Sequence, residues 1–319
     1  PTLASIILAL AVRNMEEPLL EREQIAFLVS IRAILLAAAP AIINNAATPI
    51  ATALQLSMLG HSQDANNRVA AFSTIGALVT FVANIANFLI VVTMARVARA
   101  LGAKDWAAIG YTVRVVLVVA IGVGCVSALL IYAAREPLLS LLSLTAEPGL
   151  KHLAEDYLPL ALARLPPLLL LKAVSSILVG FQCVRVASTL NFLLACIDTG
   201  LFFAVLHAFG GGLDTLGATV AISCACTAVI GLVVMAFCRP HKSVRVLCAS
   251  RSLPASSASL LSLACDSLNV LIRSILLSGS ILAMMVTVAP LGAAAIGAHA
   301  VIMQLWMVTS YIVDGFADV

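Results

Sequence analysis

Charged residues are scarce in this chain. Asp, Glu, Lys and Arg make up 10% of its 319 residues, whereas a soluble domain needs about 25% to cover its surface. Aromatic residues are also few, at 5%, so the hydrophobic content of 62% is mainly Ala, Leu, Val and Ile. The mean hydropathy of +1.11 excludes a water-soluble domain and indicates lipid as the surrounding medium. We expect an all-α, polytopic bundle of transmembrane helices.

The sequence also lacks the motifs of soluble enzymes and metal sites. It contains no P-loop, GxGxxG, HExxH or GxSxG. Its eight cysteines form no CxxC pair or Cys/His zinc pattern, and we interpret them as small packing residues. The net charge of +3 is too small to indicate nucleic-acid binding. We therefore expect no enzyme, no metal or resident cofactor, and no nucleic-acid partner.

Long apolar runs are the main feature that is present. A helix needs about 20 mostly apolar residues to span a bilayer, and runs of this length are separated here by charges and turn formers. Alternation with a period of two, typical of strands, is absent. Eight spans are predicted, at 31–59, 69–94, 113–133, 157–180, 187–209, 216–237, 260–288 and 293–319.

Loop charges predict the orientation of these spans. The loops after the second, fourth and sixth spans carry Arg96, Arg99, Lys104, Arg185, Arg239, Lys242, Arg245 and Arg251. The other loops carry only Arg68, Arg135 and Lys151. The positive-inside rule then places the N-terminus in the cytoplasm.

The same pattern predicts the domain organisation. Residues 1–24 are expected to form an N-terminal cytoplasmic segment, and residues 25–238 a first lobe of six helices. The segment 239–259 is rich in Ser and Arg, and we interpret it as a cytoplasmic linker. Residues 260–319 would then be the first two helices of an incomplete second lobe.

Polar residues inside the spans are candidates for function, because lipid makes them costly. Asp198 lies near the middle of the fifth span, and Asn191 falls on the same helix face seven residues earlier. We interpret Asp198 as a carboxylate that binds a proton or cation beside an aqueous cavity. The alternative is a structural contact, for example to Arg164 or Lys172.

The first span combines prolines with amides. Pro40 and Pro49 remove backbone hydrogen bonds and kink a helix. The freed carbonyl groups, together with Asn44 and Asn45, are expected to line a substrate cavity, and Gln55 lies further along the same span. A static kink satisfied by neighbouring helices is the alternative.

Two further groups are candidates for the cavity. Arg164 and Lys172 lie inside the fourth span, where they would attract an anion or pair with a carboxylate. Asp266, Asn269 and Arg273 are spaced by three and four residues in the seventh span, so they form one stripe. This stripe is either part of a cleft between the lobes or a structural ion pair.

Several segments together resemble the multidrug and toxic compound extrusion (MATE) family, in particular its DinF-like branch with plant, algal and bacterial members. Residues 291–299, LGAAAIGAH, precede QLW at 304–306 and DGFA at 314–317, which is similar to the family's LGxxxLAAHQ, QLW and DGFA. Residues 97–105, VARALGAKD, are similar to its VARALGAGD. Leu165 with Pro166, Asn191 with Asp198, and Asn269 with Arg273 occur in the family's order.

The resemblance implies twelve helices in two six-helix lobes, of which eight are present here, so the chain is expected to be truncated at its C-terminus. It places Pro40 at the family's proline in helix one and Asp198 at its carboxylate in helix five. The chain departs from the family where Gln55 replaces an aspartate of helix one. Leu171 and Leu194 replace asparagines of helices four and five. Asp198 would then carry cation coupling alone or with the stripe of the seventh span, and Gln55 is the second candidate coupling position.

The expected function is export of small organic solutes by cation-coupled antiport with alternating access, driven by protons or sodium. Arg164 and Lys172 favour an anionic solute. The alternatives are a flippase for lipid-linked precursors in the same superfamily, a truncated membrane protein without transport activity, and a membrane enzyme. We expect the full-length protein to be a monomer in the plasma membrane or a plastid-type envelope.

Overall fold

The structure, a computed structural model, describes residues 39, 42–43, 45–144, 148–237 and 257–317. Pro40 and Asn44 lie outside these described residues, and so does the side chain of Asp266. The predicted segment 1–24 and nearly all of the predicted linker 239–259 lie outside them as well.

The described residues are helical, and no strand occurs among them. The helices are α1 (45–60), α2 (Ala65–Ile85), α3 (Asn87–Gly102), α4 (Trp106–Ala133), α5 (Arg135–Leu141), α6 (Pro148–Ala163), α7 (Leu165–Gly180), α8 (Val184–Ala208), α9 (Leu213–Phe237), α10 (Ser257–Val288) and α11 (Ala293–Ala317).

Seven helical segments in this part of the chain are long and apolar enough to cross a membrane. They match the second to eighth predicted spans, and the first predicted span overlaps α1. Large apolar side chains project outward from them, for example Val118 with 71% and Leu129 with 69% of its surface exposed. Such surfaces require lipid. The prediction of a polytopic helical bundle is confirmed, and the chain is an integral, multi-pass membrane protein.

The second and fourth spans are each divided into two helices. The fourth span breaks at Arg164, between α6 and α7. Pro166 and Pro167 lie in the first turn of α7, which begins at Leu165, where the missing amide proton of proline costs no helix hydrogen bond. The second span breaks at Ala86, between α2 and α3, where the sequence contains no proline or glycine.

One buried cluster, which we call the Phe72 cluster, closes one end of the bundle. The Phe72 ring lies 5.7 Å from that of Tyr157 and 5.6 Å from that of Phe202, measured between centroids. Each predicted span from the first to the eighth contributes to this cluster, for example through Leu59, Phe72, Ile131, Tyr157, Phe202, Leu216, Met285 and Ile296. The helices α10 and α11 are therefore packed onto the first six spans at this end.

A second cluster, the Val97 cluster, lies toward the other end and includes Val97, Ile109, Val174, Ile177, Leu190 and Met235. It joins α3, α4, α7, α8 and α9. Between the two ends, α4 approaches α7 closely at Gly124. A Cβ atom on Gly124 would lie 2.6 Å from the Cα atom of Pro166, so only glycine fits there, as is common between membrane helices.

Candidate functional site

Asp198 lies in the interior of α8, about midway along this 25-residue helix. Its side chain is only 4% exposed, and one turn further on Phe202 enters the Phe72 cluster. A carboxylate in such surroundings requires compensation for its lost hydration. Two side chains, one on either neighbouring helix, supply it.

The first partner is Arg164, at the break between α6 and α7. Its Nη2 atom lies 2.9 Å from Asp198 Oδ2, as a hydrogen-bonded ion pair. The Arg164 side chain is 24% exposed, but its Nε atom is buried without a hydrogen-bond partner within the described part of the chain. The sequence analysis proposed Arg164 or Lys172 as a structural contact of Asp198, and Arg164 is the one found.

The second partner is Ser223 in α9, which sequence reasoning missed. Its hydroxyl group contacts Asp198 Oδ1 and also lies 3.0 Å from the carbonyl oxygen of Val220. Since a hydroxyl group has a single proton, Ser223 donates to one of these acceptors at a time. A serine within an apolar helix carries no distinguishing signal, and only the packing of α8 on α9 brings it to Asp198.

Lys172 does not contact Asp198 but reaches the second span instead. Its Nζ atom lies 3.1 Å from Asn87 Oδ1 and 3.3 Å from the carbonyl oxygen of Ala83. Both acceptors are neutral. Lys172 therefore has no paired carboxylate in these contacts, whereas Arg164 is compensated by Asp198.

Asn191 also faces α7, as does Asp198. The Ser175 hydroxyl group lies 3.4 Å from Asn191 Oδ1. The two antiparallel helices thus share two polar contacts, Arg164 with Asp198 and Ser175 with Asn191. The prediction that Asn191 and Asp198 share one helix face agrees with this arrangement.

The other predicted residues that the structure describes lie on α1 and α10. Gln55 is buried in α1, and Asn45 is half-buried near the start of that helix. Asn269 and Arg273 are exposed on α10. The structure therefore brings Asp198, Arg164 and Ser223 into one cluster, the Asp198 cluster, while Lys172 lies at a separate position on α7.

Comparison with known proteins agrees with this architecture. The sequence profile of the MatE family matches residues 40–206, which is more than half of the 319 residues. No curated protein matches the chain.

Solved structures of similar fold are MATE transporters. An inward-facing multidrug resistance MATE family transporter of the MOP superfamily is 17% identical, with a TM-score of 0.73 over 85% of this chain and 60% of that one. An outward-facing one is 18% identical, with a TM-score of 0.65 over 76% and 52%. A MOP superfamily transporter from Pyrococcus furiosus, described as having a binding pocket of reverse polarity, is 16% identical, with a TM-score of 0.62 over 88% and 68%.

The chain spans about half to two thirds of the length of these three transporters. At 16–18% identity, the solved structures show that the fold is shared. Membership of the family rests on the match of residues 40–206 to the sequence profile. The chain belongs to the MatE family of polytopic membrane proteins.

Proposed function

We propose that this protein exports small organic solutes in exchange for a coupling cation, proton or sodium, by alternating access, and that Asp198 is the coupling group. The observation that supports this most directly is a buried carboxylate whose two oxygen atoms are held by Arg164 and Ser223. Polar groups placed this deep among membrane helices are costly and mark ion pathways.

Proton uptake by Asp198 would remove the charge that compensates Arg164. Leaving one member of a buried ion pair uncompensated costs several kcal/mol, and the partnerless Nε atom of Arg164 adds to this cost. Ser223 accommodates the change, because its proton can turn to the Val220 carbonyl group while protonated Asp198 donates to its oxygen. The uncompensated guanidinium group then drives Arg164 toward a new partner, and the surrounding helices rearrange.

The charges of the site set the expected solute. With Asp198 ionised, the Arg164–Asp198 pair has no net charge, and protonation of Asp198 gives it one positive charge. The added positive charge weakens the binding of a cationic solute, so a cationic or amphipathic solute would leave as the proton arrives. Exchange of this kind is antiport.

The Phe72 cluster supports a direction for the cavity. It packs α10 and α11 onto the first lobe at the end that the loop charges assign to the outside. In this arrangement a solute would enter from the cytoplasmic side, where we also place the N-terminus. We propose that the full-length protein acts as a monomer in the plasma membrane or an organellar envelope.

The test is efflux from energised membrane vesicles, with ethidium as a cationic probe. Asp198→Asn retains the volume of the side chain but cannot take up the coupling charge, and we expect gradient-driven efflux to fall by more than tenfold. Glu155→Gln is the matched control, since Glu155 is a half-exposed carboxylate in α6 that pairs with Lys151. Unchanged efflux by folded Asp198→Asn protein would remove Asp198 from the coupling step.

A second candidate function is transport of an anionic solute, such as a lipid-linked precursor. The observation that favours it is Lys172, a cation whose recorded partners are both neutral. The Pyrococcus furiosus transporter, a protein of similar fold, is described as having a binding pocket of reverse polarity that suggests a different function. Transport of an anionic dye, carboxyfluorescein, in place of ethidium would favour this candidate over the first.

A further inference from the structure

The break in the second span has an unusual origin. Helix breaks are normally caused by proline, by glycine, or by a side chain that enters the backbone hydrogen-bond ladder. From residue 77 to residue 101 there is no proline or glycine, yet α2 ends at Ile85 and α3 begins at Asn87. The Leu89 amide bonds to the Ala86 carbonyl group at 3.0 Å, in the shorter i→i+3 pattern.

Lys172 is the side chain that enters the ladder. Its ammonium group bonds to the Ala83 carbonyl group and to the Asn87 side chain, which lie on either side of the break. In a continuous α-helix the Ala83 carbonyl group would accept from the Asn87 amide alone. The lysine therefore contacts both sides of the break, one through a backbone carbonyl group and the other through an amide side chain, and we call these two contacts the Lys172 clasp.

The two halves of the second span pack on different neighbours. Helix α2 packs against α6 and α11, whereas α3 packs against α4 and α7, and α10 runs along both. The contact of α3 with α7 is close at Gly180, where a Cβ atom would lie 2.8 Å from Val97 Cβ and 3.1 Å from the Met94 carbonyl oxygen. Helix α3 and Lys172 thus belong to the group of helices α3, α4 and α7. Helix α2 packs mainly with α6 and α11.

We propose that Lys172 is a positioning residue that holds the second span bent at Ala86 and so fixes the tilt of α2 relative to α3, α4 and α7. The fourth span is divided in the same way at Arg164, where α6 meets α7. Release of the Lys172 clasp lets α2 and α6 move together, as the outer parts of two divided spans. This role depends on the fold alone and not on the nature of any solute.

The test is a distance measurement in nanodiscs between nitroxide labels on ketone-bearing amino acids at positions 66 and 130. Asn66 and Leu130 are exposed, near the same ends of α2 and α4. Helix α2 has 21 residues and is therefore about 31 Å long, so a 10° change of tilt moves its tip by about 5 Å. We expect Lys172→Met to shift the mean distance by several Å or to broaden its distribution clearly, and Lys172→Arg to restore it.

Lys151→Met is the control, since Lys151 is half-exposed on α6 and should leave the distance unchanged. Asn87→Leu removes one of the two acceptors without changing charge, and we expect it to give a smaller shift in the same direction. If Lys172→Met does not fold, the distance measured in the Asn87→Leu protein alone tests the role of the Lys172 contacts. Distances like those of the unmodified protein in the folded variants would overturn the proposal.

Transport measurements separate this role from the proposed function. A Lys172→Met protein with an altered distance supports the clasp whether or not ethidium efflux is observed in any variant. A Lys172→Met protein that loses transport but keeps the original distance overturns the clasp and leaves the proposed function standing.

Discussion

Removing both charges of the Arg164–Asp198 pair should destabilise the protein by clearly less than the sum of the two single removals. Asp198→Asn leaves a guanidinium group among apolar side chains, and Arg164→Met leaves a carboxylate there. Breaking a buried pair costs about 3–5 kcal/mol. Arg164 is 24% exposed, so we expect the lower end, about 2–3 kcal/mol for each single variant. The double variant should lose less than the sum, with a coupling of about 2 kcal/mol.

The assay is reversible unfolding in mixed micelles with increasing SDS, for the unmodified protein, both single variants and the double variant. The matched control is the pair of Lys151 and Glu155, whose atoms are 3.6 Å apart and whose side chains are 50% and 48% exposed. An exposed pair of this kind contributes about 0–1 kcal/mol. Additive effects at Arg164 and Asp198, with a coupling no larger than that of the control pair, would refute the reasoning from burial.

The close contacts of the bundle give two further predictions. Gly124→Ala should lower the melting temperature in detergent, because the added Cβ atom would lie 2.6 Å from the Pro166 backbone. Gly122→Ala, whose Cβ atom would have nothing within 4 Å, should be neutral or stabilising. Equal melting temperatures of the two variants would contradict the packing of α4 on α7. Phe202→Ala should lower the free energy of unfolding in SDS by about 3 kcal/mol, since Phe202 is fully buried against Phe72. A decrease below about 1 kcal/mol would mean that the Phe72 cluster collapses around the gap.

The spans were predictable because lipid imposes a simple rule on the sequence. Backbone groups must be satisfied within each segment, so length and apolar character suffice, and the second to eighth predicted spans all correspond to helices. The division of the fourth span was not predicted, because prolines such as Pro166 and Pro167 do not by themselves end a membrane helix. Pro159, for example, lies inside α6. The predicted limits of the spans differ from those of the helices where polar turns of the sequence are also helical. Helix α6, for example, begins at Pro148, whereas the predicted span begins at residue 157.

The candidate site was only partly predictable. Asp198 and Arg164 stood out because charges are rare in apolar runs, but Lys172 competed as the partner of Asp198 until the packing of α7 decided it. Ser223 gave no signal, since serine is common between membrane helices. The roles of Pro40 and Asn44 remain predictions, because these residues lie outside the described part of the chain.

By itself the sequence determined the medium, the helical class, the spans and the scarce charges that must be accommodated inside them. All of these follow from the cost of transferring polar groups into lipid, which depends on local composition. Only the tertiary structure decided which charge compensates which, and that the second span is interrupted at Ala86. Both outcomes depend on contacts between residues that are distant in the sequence. Arg164 and Asp198 are 34 residues apart, and Lys172 and Ala83 are 89 residues apart. These residues meet only when the helices pack.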